Sequence, residues 1–350
     1  MAPAKGGSVA LIWGGESAHA SLVELDTAIS ERSSVRHDVS LAVEISPIDG
    51  VAALIALDTT PSWNVDFPDA RLMLFEPVSG SGTYLIDDTS SPYTVHGGGI
   101  VGLWLGAAVA PWSSRRNPNH LGDWRLEGAV RTGGSKNSMW AGPVDSRGAA
   151  PGGSAFRLAA AFSKSGKAGS PWIRAVWHRE SGAVVDLTDD EGVVVAPEVA
   201  LRPASTVTLA GGVELLAHDV PEEEERFAVD LHLAATYRTW EDVGSGTLLP
   251  NTLDPGHRIP VTHGDGVLGS AGVGFVAWMG PSARLNVALD GRIESTARQE
   301  HIYPVVTSGT PWAILWTATL AGRAKLPSGE TTKEPESVEV VPLPWGPTLP

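Results

Sequence analysis

Apolar and polar residues alternate along several segments of the chain with a period of two. In residues 226–240, one set of alternate positions is apolar and the other set is charged or polar. Residues 38–46, 124–131 and 283–294 repeat this alternation. Successive side chains of a β-strand point to opposite faces, so each of these segments predicts a strand with one apolar face and one charged face.

Weaker alternation of the same period marks further segments: residues 22–30, 51–59, 100–110, 156–164, 172–178, 206–218, 267–279 and 312–323. No segment shows an apolar stripe with helical spacing, so the sequence predicts an all-β chain of about twelve strands. If residues 9–13 and 338–341 also form strands, the next best count is about fourteen.

The connections between the predicted strands differ in length in a regular way. Short links follow the second, sixth, eighth and tenth strands: residues 47–50, 165–170, 220–225 and 280–282. Long links follow the odd-numbered strands from the third onward: residues 60–99, 133–154, 179–205, 241–266 and 297–311. The first link, residues 31–37, is short and the fourth, residues 111–122, is moderate. Long and short links then lie at opposite ends of the sheet. This asymmetry favours a closed antiparallel up-and-down transmembrane β-barrel over a soluble β-sandwich, which has no reason to segregate its loops.

In these features the chain resembles outer-membrane β-barrels of Gram-negative bacteria, of the porin-like and transporter-like type. The resemblance covers residues 22–323 and rests on the loop asymmetry and on units such as RFAVDLHLAATYRTW and ARLNVALDGRIEST. It is a resemblance of architecture, and it implies a barrel over residues 22–325. Residues 1–21 would then be a periplasmic segment or an extra strand, and residues 326–350 a Pro-rich acidic tail. The chain departs from the pattern at its end, because such barrels usually finish on an aromatic residue and this chain ends in Thr348-Leu349-Pro350.

The amino-acid composition narrows the classes of molecule that the protein can bind. The formal net charge is −15, which argues against nucleic acid as a partner and leaves membrane lipid and small polar solutes. The chain has no cysteine, so disulfides and thiolate metal sites are excluded. The longest apolar run, residues 100–112, is shorter than the ~20 residues of a transmembrane helix. The first eight residues lack the apolar core of a signal peptide. We therefore expect either a mature form of an exported outer-membrane protein or a soluble all-β protein.

The search for catalytic chemistry finds no arrangement with the required spacing. Residues 97–99 are all glycine, but no Lys-Ser or Lys-Thr pair follows them as in a phosphate-binding loop. Two Asp–His pairs loosely resemble those of barrel proteases: Asp254 with His257, and His263 with Asp265. Solvated loop residues need no such role, so we expect no enzymatic activity, no metal site and no cofactor.

The polar face of a lipid-embedded barrel lies inside, so the inner face carries the candidate functional residues. The candidate pore-lining residues are Glu44, Arg125, Glu127, Arg131, Arg157, Arg174, His178, Glu214, Asp230, His232, Arg238, Arg284, Asp290 and Arg292. His218 is also predicted to face inward.

Arginines at positions 125, 131, 157 and 174 fall on three adjacent predicted strands. A positive strip inside a low-dielectric wall attracts anions. We therefore expect a passive pore for small polar or charged solutes, with selectivity set by this strip. The alternative is that the inner charges pair across the lumen and plug it, which would leave a structural or partner-binding barrel.

Overall fold

The computed structural model describes residues 6–24, 27–67, 73–76, 83–86, 93–113, 122–132, 154–166, 169–181, 183–188, 194–201, 205–220, 225–239, 248–250, 258–260, 262–263, 265–279, 283–295, 298–300, 306–308 and 311–325. The barrel strands are β1 (Gly6–Glu24), β2 (Thr27–Ile48), β3 (Val51–Phe67), β4 (Tyr93–Val109), β5 (Asp123–Thr132), β6 (Ala155–Ser163), β7 (Gly169–Glu180), β8 (Ser205–Val220), β9 (Glu225–Arg238), β10 (Gly266–Met279), β11 (Ala283–Glu294) and β12 (Trp312–Lys325).

Each barrel strand pairs antiparallel with the next along the chain, and the last strand pairs with the first. The closing ladder between β1 and β12 runs from Gly6 opposite Lys325 to His19 opposite Trp312. The predicted closed antiparallel barrel of twelve strands is therefore confirmed. None of the described residues forms a helix that could cross a membrane.

The first strand differs from its predicted position. Residues 9–13, considered as an additional strand, lie within β1, and the predicted first strand at residues 22–30 covers the end of β1 and the start of β2. The reason is that inward positions of β1 are small or apolar, as at Ala10, Ile12 and Gly14, and give little polar alternation. The barrel thus begins at Gly6 and keeps twelve strands. Residues 326–350, which include the segment 338–341, lie outside the described residues.

Several predicted long loops contain further strands. Hairpins form between Met73–Glu76 and Thr83–Ile86, between Ala183–Thr188 and Val194–Leu201, and between Leu248–Pro250 and Arg258–Pro260. Three more short strands extend the main sheet from the end of β1: Val306–Ser308, Arg298–Glu300 and Thr262–His263. All of these elements lie on the long-loop side of the barrel, because their connections join the same strand ends.

The two faces of the barrel wall have opposite character. Large hydrophobic side chains are exposed on the outer face of all twelve strands; Leu233 on β9, for example, is 66% exposed. Alanine, glycine and charged residues dominate the inner face, where Ile12, Leu54, Trp104 and Val276 are fully buried. An apolar outer face with a polar inner face is the pattern of a barrel that contacts hydrocarbon.

Closure predicts resistance to detergent. Because every barrel strand is paired on both sides, protein refolded in detergent should migrate faster on a denaturing gel when unheated than when boiled. Thr317→Pro is a suitable control, since it removes a ladder donor from β12 between β1 and β11, and it should lower the temperature at which the fast band disappears. Equal mobility of heated and unheated protein, together with solubility in plain buffer, would contradict the closed membrane barrel.

Candidate functional site in the barrel lumen

The strand register places all fourteen predicted candidate residues on the inner face. On β5, for example, Arg125 and Glu127 point inward on either side of the exposed outward residue Leu126. His218 differs from its predicted orientation. A register shift between Leu216 and His218 moves its side chain to the outer face, where it pairs with the outward residue Phe227.

The arginines of the predicted positive strip are interleaved with carboxylates. Arg125 donates from Nη2 to Oε2 of Glu44 at 2.7 Å, and its Nε contacts Glu127. Nη2 of Arg174 lies 3.8 Å from Oε2 of Glu127. The strip is therefore compensated by acids from β2 and from its own strands, and its net field in the lumen is weaker than a row of bare arginines would give.

Further along the same strands, Arg131 donates from Nη2 to Oε1 of Glu180 at 2.9 Å. The ring nitrogen Nε2 of His178 lies 3.8 Å from the same carboxylate oxygen. Glu180, which was not among the predicted candidates, thus lies close to both Arg131 and His178 on the inner face. Its position six residues after Arg174 on one strand is the signal that could have identified it.

Trp104 on β4 is the largest fully buried side chain of the inner face, at 2% exposure. Its indole Nε1 donates to Asp58 at 2.7 Å, and the guanidinium carbons of Arg157 and Arg131 lie 5.5 and 5.7 Å from its ring centroid. These are cation–π distances, so the ring holds two arginines against the wall. Trp104 was not among the predicted candidates, although it alternates with outward Leu103 and Leu105.

Together these groups form what we call the packed wall, the inner face of β2–β6. Its inner positions are mostly buried, whereas those of β8–β10 are mostly half-buried. We call the inner face of β8–β10 the open wall. Several of its half-buried positions carry small or hydroxylated residues, alongside larger ones such as Arg226, Asp230, His232 and Arg238. The small and hydroxylated residues are Thr208, Ala210, Gly212, Ala234, Thr236, Ser270 and Gly272.

A chain of hydrogen bonds crosses the open wall. Trp172 on β7 donates from Nε1 to Oδ1 of Asp230 at 2.8 Å, and Nδ1 of His232 lies 2.8 Å from Oδ2 of the same carboxylate. Nε2 of His232 lies 2.7 Å from Oδ1 of Asp290 on β11. We call Asp230, His232 and Asp290 the His232 bridge. It joins β9 to β11 across β10 through one imidazole ring.

Two glycines make room for these side chains. Gly272 pairs with both His232 and Asp290, and a Cβ added there would lie 2.6 Å from Nε2 of His232. Gly212 lies between Trp172 and His232, and a Cβ there would lie 2.9 Å from Cε2 of Trp172. Real Cβ atoms do not approach so closely. The glycines therefore allow the indole and imidazole rings to lie along the wall.

The remaining predicted residues pair along the wall as well. Arg284 donates to Glu214 at 2.9 Å and stacks on Trp278, whose other neighbour is Arg226; both guanidinium carbons lie 5.0 Å from the ring centroid. Two further ion pairs join Arg292 with Glu16 and Arg238 with Glu294.

The ion pairs described above run along the wall of the barrel. The widest join Glu44 with Arg125 and Glu214 with Arg284, each pair three strands apart, whereas opposite walls of the barrel are six strands apart. These inner charges thus pair with neighbours on the same side of the lumen.

Within the described part of the chain, no cluster of His, Asp or Glu is arranged to hold a metal ion. Of the pairs compared with barrel proteases, Asp254 and His257 lie outside the described residues. Asp265 accepts a hydrogen bond from the hydroxyl of Tyr237 at 2.8 Å. The absence of enzymatic activity stays a prediction.

No protein-family model matches the chain, and no curated protein sequence matches it. Solved structures with a similar course of the chain include an outer membrane channel from Pseudomonas putida F1, with 9% identity over 92% of this chain and 96% of that chain and a TM-score of 0.49. A FadL homologue from Pseudomonas aeruginosa has 11% identity over 91% and 90%, with a TM-score of 0.43. The toluene transporter TodX from P. putida has 9% identity over 93% and 91%, with a TM-score of 0.39. No function is transferred from these proteins to this chain.

Proposed function

We propose that this protein is an outer-membrane channel for small polar or charged solutes, and that the solute path follows the open wall. The observation that carries the proposal is the difference between the two inner walls. Side chains on the inner face of β2–β6 are mostly packed and shielded from water, whereas most of those on β8–β10 are half-buried, and several of them are short.

The outer surface supports the membrane location. Exposed hydrophobic side chains circle the barrel on all twelve strands, far more apolar surface than a soluble monomer presents in one patch. Aromatic rings cluster near both strand ends: Trp112, Trp124 and Phe162 contact in series at the short-turn end, and Phe156 contacts Trp177 near the long-loop end. Two aromatic bands of this kind mark the interfaces between hydrocarbon and water.

The chemistry of the open wall supports polar solutes. The hydroxyls of Thr208 and Thr236 are 2.8 Å apart, and Ser270 lies on the next strand. Hydroxyls and the His232 bridge replace part of the hydration shell of a polar solute, and an apolar solute cannot use these hydrogen-bonding groups.

A cysteine-labelling experiment tests the path, because the protein has no cysteine and each introduced thiol is unique. Ser270→Cys places a thiol on the open wall, and Ala159→Cys places one on the buried inner face of β6. In planar bilayers, an anionic thiol reagent should lower the single-channel conductance of Ser270→Cys and leave that of Ala159→Cys unchanged. Equal effects at both positions would contradict the asymmetric path.

A second candidate function is a filled barrel that acts as a membrane anchor. It is favoured by a cluster of buried inner residues that includes Ile12, Leu54 and Trp104. The same bilayer recording separates the two candidates, because a filled barrel gives no current while it still shows the heat-dependent mobility of a closed barrel.

A further inference from the structure

The charges that select a permeating ion are those that water and the ion reach, because buried charges with close partners contribute little field at a distance. On the packed wall, the side chain of Arg125 is only 8% exposed and contacts two carboxylates. On β11, next to the open wall, the side chain of Asp290 is 19% exposed and has a single ion-pair partner, His232, among the described residues. The lumen field should therefore be set by the open wall.

The His232 bridge carries a net negative charge in either protonation state of its ring. Two carboxylates contribute two negative charges, and one imidazolium offsets at most one of them. The nearby ion pairs Arg284–Glu214 and Arg292–Glu16 are neutral as pairs. One further cation on the inner face of β9, Arg226, stacks on Trp278. Asp230 already accepts hydrogen bonds on both oxygens, whereas Asp290 accepts from His232 on Oδ1. Asp290 is thus the carboxylate that best faces a passing ion.

The position of the bridge fits such a role. Gly272 allows the imidazole to lie between its two carboxylates along the wall, so the bridge lines the path and does not fill it. Each carboxylate is held by the ring at 2.7–2.8 Å, which fixes its direction toward the lumen before an ion arrives. A preorganised charge acts on an ion without the cost of reorienting side chains.

We infer that the His232 bridge is the selectivity-determining element of the lumen and that it makes the path prefer cations over anions. The inference rests on the proposed channel function and names the class of its solutes. It also differs from the expectation drawn from the arginines of β5–β7. Arg125, Arg131 and Arg174 contact Glu44, Glu127 or Glu180, and Arg157 stacks on the buried Trp104.

The test is the reversal potential of the full chain in planar bilayers under a KCl gradient. The wild-type protein should prefer potassium over chloride. Asp290→Asn should lower the cation-to-anion permeability ratio about fivefold, the combined effect on cation and anion of one unit charge about 8 Å from the ion in water. Asp58→Asn is the matched control, because it removes the same charge from the packed wall, where Asp58 accepts from Trp104 and Ser40. It should change the ratio by less than about twofold.

A second measurement keeps the inference testable where Asp290→Asn fails to fold. In Ser270→Cys, whose thiol lies on the same strand face as Gly272, a cationic thiol reagent should lower cation preference and an anionic reagent should raise it. Chloride preference in the wild type, or a ratio that responds to neither Asp290→Asn nor the charged labels, would overturn this inference and leave the channel standing. No current at all from folded wild-type protein would overturn both proposals.

Discussion

Leu233→Arg should destabilise the barrel by about 2–4 kcal/mol, whereas Ala234→Arg, one residue later, should cost only about 0.5 kcal/mol. Leu233 lies on the outer face of β9 between the aromatic residues Phe227 and Tyr237, near the middle of the apolar belt. Its side chain is 66% exposed, so an arginine there would be well hydrated in a soluble protein. The cost arises only if hydrocarbon surrounds this position. Ala234 lies on the open wall, where water reaches the new guanidinium.

The measurement is guanidinium unfolding of both variants from lipid vesicles, with the wild type as reference. Two small effects would contradict a lipid-facing outer surface, and two large effects would contradict the assignment of the faces. The two positions share a strand, a neighbourhood and a new side chain. The difference between the two losses of stability therefore shows whether lipid or water surrounds each face of the wall.

The same contrast of faces explains which strands the sequence predicts well. On β9 and β11 the inner positions are charged and the outer positions apolar, so the period of two is plain. On β1 the inner positions are Ala10, Ile12 and Gly14, and on β4 they include Gly102 and Gly106. Where the inner positions carry small or apolar residues, they no longer contrast with the apolar outer positions, and the period of two is hard to detect. The first strand was therefore predicted too late in the chain, although the strand count was right.

The outward orientation of His218 has a different cause. The alternation in β8 is regular up to Leu216, and the extra residue that reverses it is set by the pairing with β9 near Phe227. A bulge of this kind depends on two strands that lie apart in sequence. Alternation within one strand cannot reveal it.

Which residues face the lumen could be predicted from the sequence, but which of them contact one another could not. The alternation of apolar and polar positions within each strand was enough to place Arg125 and Glu44 on the inner face. Their contact, however, passes over β3 and β4, and it requires the closed, sheared barrel to bring the two side chains together. The small residues Gly106 and Ala108 on β4 leave space for that contact. The unequal packing of the two walls follows from such combinations of long and short side chains on neighbouring strands, which a single strand's pattern does not contain.

The interior also predicts a large cost for removing Arg125. Arg125→Leu should destabilise the barrel by about 3–5 kcal/mol, because it leaves Glu44 and Glu127 in a shielded position without their shared cation. Arg174 lies 3.8 Å from Glu127 and compensates only one of the two carboxylates. The measurement is again unfolding from lipid vesicles. Acidification should reduce the difference from wild type, since a protonated carboxyl group needs no cation.

Arg36→Leu is the matched control. Arg36 pairs with Asp38 at 2.9 Å, and its removal leaves one carboxylate, which keeps a hydrogen bond from the Thr60 hydroxyl at 2.5 Å. Because two carboxylates lose their cation in Arg125→Leu and only one does here, the cost should be smaller, about 1–3 kcal/mol. The triple variant Arg125→Leu, Glu44→Gln and Glu127→Gln should recover most of the lost stability, because it removes the stranded charges together with the cation. If Arg125→Leu costs no more than Arg36→Leu, water reaches Glu44 and Glu127 in the packed wall and solvates them. The solute path would then occupy the whole lumen, and the division into a packed and an open wall would have to be abandoned.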